Sequence, residues 1–199
     1  MLDWAGRWTM AAPTHAWKMT PKEAVQLQRE LAGQVRCEDD LGPVRTIAGV
    51  DVSIGRFSDQ GYAAIVVLSV PELAIVEVAD VGMRIPMPYI PGLLSFREIP
   101  LVLDVPSIGC AKSILVGRHE PLPLERGAIA PLRHHDEVVG YAVRTKHRVN
   151  PVYVSCGHRV GMETAVGWVL ECARGYRLPE PTRQAHLASN VARRRGLEP

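Results

Sequence analysis

The chain's 199 residues, 47% of them hydrophobic, can bury one substantial core, so a single domain is expected and a second is not needed. Its formal charge of +2 is the small difference between 23 basic and 21 acidic side chains, which rules out choosing a partner from net charge alone. No run approaches the ~20 apolar residues of a membrane span, and no apolar stretch leads to a small-residue cleavage site, so a soluble, cytoplasmic protein is expected, and it is taken to be a monomer. The four cysteines lack a C-x-x-C spacing and a neighbouring histidine pair, which argues against zinc and for reduced thiols.

Residues 1–19 hold three of the four tryptophans, Trp4, Trp8 and Trp17, without a clear period, and are expected to form an irregular extension. At Thr20-Pro21-Lys22-Glu23 an N-cap, a first-turn proline and an acid at N3 precede Ala24, Leu27, Leu31 and Val35 at helical spacing. A helix over 21–36 follows. Strands are predicted at 46–53, 61–70 and 73–81, with Val70-Pro71-Glu72-Leu73 as the turn between the last two. The run from Tyr62 to Leu68 is apolar on both faces, as a central strand should be. Further strands are predicted at 107–111 and 137–144, the latter paired with 152–155, and a last helix at 162–174, with Val166, Val169, Leu170 and Ala173 as its apolar stripe.

Several residues carry potential chemistry. Asp51 interrupts the apolar strand Ile47-Ala-Gly-Val-Asp-Val-Ser53, where an uncompensated charge would cost several kcal/mol, about the size of a desolvated ion. Its bland alternative is a strand-end Asp facing water. Glu98 lies just before Pro100, at a natural helix start where a dipole also favours an acid. Tyr89 sits on a loop stiffened by Pro86, Pro88 and Pro91; it is either a base wedge or a loop anchor packing on the core. Lys112 closes a strand as a point charge, and His158 precedes a helix. The other histidines, His134 and His135 among them, fit no functional pattern.

The blocks Ile47–Ser53, Pro88-Tyr-Ile-Pro-Gly-Leu-Leu-Ser-Phe-Arg-Glu98, Asp104-Val-Pro-Ser-Ile-Gly-Cys-Ala-Lys112, Pro151-Val-Tyr-Val-Ser-Cys-Gly-His158-Arg159 and Arg177-Leu-Pro-Glu-Pro-Thr-Arg183 resemble the endonuclease V family. The resemblance covers nearly the whole chain from about Thr20 and divides it into the extension, a domain over 20–187 and a tail over 188–199. It implies an α/β fold, a ribonuclease H-like mixed sheet with flanking helices. It also implies a Mg²⁺-dependent nuclease, with Mn²⁺ as a substitute, that nicks DNA 3′ to deoxyinosine during repair; inosine-containing RNA is a second candidate partner. Asp51 and Glu98 would be metal ligands, and with Lys112 and His158 the catalytic residues. Tyr89, Pro91, Gly92 and Arg97 would contact DNA.

One departure bears on activity. Family members carry, after Phe-Arg-Glu, the rest of a helix, a strand ending in a Val-Asp-Gly metal-site aspartate, a His-Pro-Arg loop and another helix. Here Glu98 and Asp104 are separated by five residues, where two helices of about 11 residues and a strand of about 5 would be needed. One central strand, its crossover helix and one metal-site aspartate are therefore expected to be missing. If residues 98–104 were extended, Asp104 would share a face with Glu98, since their separation is even. Impaired nicking is one expectation and a non-catalytic nucleic-acid-binding relic is the other. The strand at 107–111 is expected either to slide next to the first strand or to leave an edge unpaired.

Overall fold

The computed structural model describes residues 20–54, 59–84 and 105–196. Helix α1 spans Pro21–Ala32 and starts on the predicted capping box: Glu23 N donates to Thr20 Oγ1 at 3.3 Å and Thr20 N to the Glu23 carboxylate at 2.6 Å. It stops at Gly33, short of residue 36, because the chain then turns away to contact the far end of another strand (below).

Strands β1 (Thr46–Ile54), β2 (Gln60–Ser69) and β3 (Ile75–Arg84) form the predicted antiparallel meander with β2 in the centre. In this register Gly49 lies opposite Val66 and Asp51 opposite Ala64, so both share the face of Ala64, Val66 and Leu68. On that face Ala64, Val66 and Leu68 are fully buried, and what buries them is an unforeseen helix, here α3, over Glu180–Arg195. The tail expected at 188–199 is not separate from the domain, since the 187/188 boundary falls inside this helix. Its buried stripe is Ala185, Ser189 and Ala192, too small and too polar to produce a strong apolar period. Gly196 in the left-handed region ends it, after three arginines that suit the carbonyl end of the helix.

The remaining strands, β4 (Ile108–Ala111), β5 (Ile129–His134), β6 (Glu137–Val143) and β7 (Val152–Cys156), form an antiparallel sheet in the order β4-β7-β6-β5. The β6–β7 pairing was predicted; β5 was not, because Pro131 interrupts its run. Its place at the sheet edge explains how the proline is tolerated. His134 and His135 fall at the β5–β6 hairpin, with His135 at φ 52°. Helix α2 (Met162–Glu171) packs on this sheet through Ala165, Val166 and Val169 against Val143, Val152 and Val154, and ends at Glu171 rather than at 174.

Among the described residues the strands pair as two antiparallel sheets with helices packed on them, an α/β arrangement as expected. Among the described residues β1 pairs only with β2 and β4 only with β7, so β4 has not slid beside β1. The halves are tied through the segment between α2 and α3. Arg174 donates to the Pro71 carbonyl at 2.9 Å and Glu180 N to the Cys172 carbonyl at 2.9 Å. Arg177 donates to the carbonyls of Asn150, Pro151 and Lys112.

Candidate nuclease site

Asp51 projects from β1 toward α3. Two residues earlier on the same face, Gly49 lets the helix come close: a Cβ there would lie 1.9 Å from the Pro181 carbonyl oxygen. Opposite Asp51, Ala64 leaves room for a carboxylate. Ser189 Oγ donates to Asp51 Oδ2 at 2.6 Å, and His186 Nδ1 stands 3.3 Å from the same oxygen. Asn190 completes the cluster, donating to the His186 carbonyl at 2.7 Å with its amide 3.3 Å from the ring Nε2. Positions 186, 189 and 190 are spaced i, i+3, i+4, which brings them to one face of α3.

Exposure separates the roles of these groups. Ser189 is fully buried and anchors the helix to the strand, whereas the Asp51 and His186 side chains are 23% and 41% exposed. A carboxylate and an imidazole therefore meet at an opening. Asp51 Oδ1 makes no hydrogen bond among the described residues, leaving an oxygen for water or a cation. A hard dication prefers several oxygen ligands. Asp51 suits that preference, and His186 adds a nitrogen donor, but no group of three or more His, Cys, Asp or Glu side chains able to hold a metal is found among the described residues. Glu98 and Asp104 lie outside them, as do Tyr89, Pro91, Gly92 and Arg97.

Lys112 and His158 belong to the second sheet. Lys112 follows β4, exposed, with its carbonyl held by Arg177. His158 follows β7: its Nδ1 accepts from Arg36 N at 3.2 Å and its own N–H donates to Ser107 Oγ at 3.0 Å. An Nδ1 that accepts from a backbone N–H leaves the proton of a neutral ring on Nε2. Among the described residues, the polar contacts of Asp51 run to α3 and not to Lys112 or His158. His186 is not among the residues expected from the sequence; its only local signal is its helical spacing to Ser189 and Asn190.

The Endonuclease V family model matches the chain in two segments, residues 29–105 and 100–187, which meet where the shortened stretch lies. An Endonuclease V from Gloeobacter violaceus is 44% identical over 219 aligned positions, covering 90% of this chain and 89% of that protein. Since 90% of 199 residues is about 179, roughly 40 of those positions have no residue of this chain. The crystal structure of the Streptomyces avermitilis Endonuclease V superposes with a TM-score of 0.82 at 33% identity, covering 90% of this chain and 96% of that one. The fold is also that of Ciona intestinalis Endonuclease V, solved with a 23mer DNA containing an inosine followed by a ribo-adenosine, at TM-score 0.73 and 22% identity, covering 89% and 99% of the two chains.

Proposed function

This chain belongs to the Endonuclease V family, and from that membership we propose that it is a Mg²⁺-dependent nuclease that nicks one DNA strand at the second phosphodiester 3′ to deoxyinosine, at a rate lowered by its shortened middle. The observation that carries this reading is the Asp51 carboxylate, set at an opening against His186. Asp51 and Glu98 would hold the cation, which when bound would neutralise charge on the scissile phosphate and favour ionisation of a water. The chain's own residues supply the rest. Ser189 and His186 fix one Asp51 oxygen and thereby aim the other. His186, exposed beside an acid, is placed to take or deliver a proton at Nε2. Lys112 and His158 serve as phosphate contacts from the second sheet. Tyr89, on its proline-stiffened loop with Pro91, Gly92 and Arg97, would enter the duplex beside the lesion.

The test is a duplex with a single deoxyinosine, assayed for nicking in Mg²⁺ and in Mn²⁺. Loss of one acid ligand removes several kcal/mol of transition-state stabilisation, each ~1.36 kcal/mol being a factor of about ten. The expected result is product far below that of a full-length relative in Mg²⁺, detectable mainly in Mn²⁺, and abolished by Asp51→Ala. His186→Ala should lower the Mn²⁺ rate without loss of fold. Inosine-selective binding with no cleavage under either metal would favour a non-catalytic binding protein. The roughly 40 unmatched positions give that alternative its weight.

A further inference from the structure

The segment between α1 and β1 crosses the end of β7 and is pinned there at several points. Arg159 N donates to the Arg36 carbonyl at 2.6 Å and Asp40 N to the Arg159 carbonyl at 3.1 Å. Asp39 accepts from Gly161 N at 2.7 Å and from Thr164 Oγ1 at 2.6 Å, so it caps α2 from 125 residues away. Within this frame the sulfurs of Cys37 and Cys156 lie 2.6 Å apart. A disulfide bond is ~2.05 Å long, so closing it needs a shift of about 0.6 Å. Backbone on both sides is already held, and Cys37 is exposed to solvent.

We propose that Cys37 and Cys156 are a reversible oxidation site, a dithiol that closes to a disulfide by exchange with a low-molecular-weight disulfide such as oxidised glutathione. Cys37, the exposed partner, attacks one glutathione sulfur as the thiolate and expels the other glutathione as its thiolate, which takes up a proton. Cys156 then attacks the Cys37 sulfur and expels the second glutathione. The protein loses two electrons and two protons, and the small disulfide gains both. Burial, together with the neighbouring Cys37 thiol, pushes Cys156 up to about 11, which suits it to the second step rather than the first. Cys110 and Cys172 are each also pushed up to about 11 by burial, and among the described residues neither has a sulfur partner. The bond clamps the α1–β1 segment to the turn carrying His158, joining positions 119 residues apart.

The experiment treats the whole folded chain with oxidised glutathione, then counts free thiols after denaturation and maps peptides without reduction. The expected result is a fall from four thiols to two, a Cys37–Cys156 linked peptide, and a melting temperature raised by roughly 5 °C or more, as closure of a long loop implies. Dithiothreitol should reverse all three. Cys37→Ser should keep the melting temperature of the reduced protein and show no rise on oxidation. Four thiols persisting, a stable mixed disulfide with glutathione on Cys37, or a linkage through Cys110 or Cys172 would each overturn the proposal.

Discussion

Replacing Gly49 with alanine tests the contact that sets the site. The new Cβ would lie 1.9 Å from the Pro181 carbonyl oxygen and 2.2 Å from its carbon, both backbone, so no side-chain rotation relieves it. Ordinary contact begins near 3.4 Å, and β1 and α3 must part by about 1.5 Å. Overpacking of this kind costs about 1–3 kcal/mol. Carried along the helix, the same displacement takes Ser189 Oγ out of bonding range of Asp51; the hydroxyl keeps its 3.1 Å contact to the His186 carbonyl, and the loss of a hydrogen bond to a carboxylate costs about 1.5–3 kcal/mol more. The combined loss of about 2.5–6 kcal/mol is a large share of a typical stability of about 5–15 kcal/mol. At about 2–4 °C per kcal/mol for a chain of this size, melting should fall by roughly 8–16 °C around the middle of that range. Urea and thermal unfolding followed by circular dichroism give the answer. Gly167→Ala is the control: in the middle of α2, with nothing within 4 Å of its Cβ, it should gain about 0.5–1 kcal/mol. A Gly49→Ala variant within about 1 kcal/mol of the native protein, the size of an ordinary substitution's effect, would refute the reasoning.

Glu180, buried at the start of α3, is held below the usual carboxylate range first by its hydrogen bonds from Arg183. A lowered value in the folded state means stabilisation that is complete above the unfolded carboxylate value of about 4.3 and lost as pH falls through the folded value. Arg183→Met should therefore be less stable than the native chain at pH 7, with the gap narrowing in acid unfolding curves; a gap that does not change with pH would assign the loss to packing alone. For Tyr89→Ala, a wedging role predicts weaker preference for inosine over undamaged DNA in competition binding, with the salt dependence nearly unchanged because phosphate contacts persist. Equal loss on both substrates would make Tyr89 a loop anchor.

What was legible in the sequence was local. The meander could be read from β-branched runs and a proline turn, and the first turn of α1 from Thr20, Pro21 and Glu23. Asp51 stood out as a charge in an apolar strand. The parts that could not be read depend on distant partners or on small residues. Helix α3 is recognised by the sheet through Ala185, Ser189 and Ala192, side chains chosen to let backbone approach Gly49 and not to form an apolar stripe. The meeting of Asp51 and His186 spans 135 residues, and the Asp39 cap on α2 spans 125. Neither has a local signature. Strand β5 was hidden by Pro131, which only an edge position tolerates.

The block Arg177–Arg183 has a structural role that bears on whether the site can work. Arg177 grips the carbonyls that follow β4 and precede β7, Glu180 and Arg183 brace the first turn of α3, and Pro181 seats on Gly49 of β1. The second sheet thereby fixes the position of α3 on the first, and α3 carries His186 and Ser189 to Asp51. Among the described residues this link passes through side chains and backbone contacts, so the cluster does not depend on a pairing of β1 with β4. A two-cation phosphodiesterase site nevertheless needs more acids than one. On the proposed reading, the limit on catalysis would fall on how Glu98 and any replacement acid such as Asp104 are presented, and not on the frame that orients Asp51. Mn²⁺, less demanding of its ligands than Mg²⁺, separates the two cases: it should restore nicking where ligands are merely few, and fail to do so where the frame itself is lost.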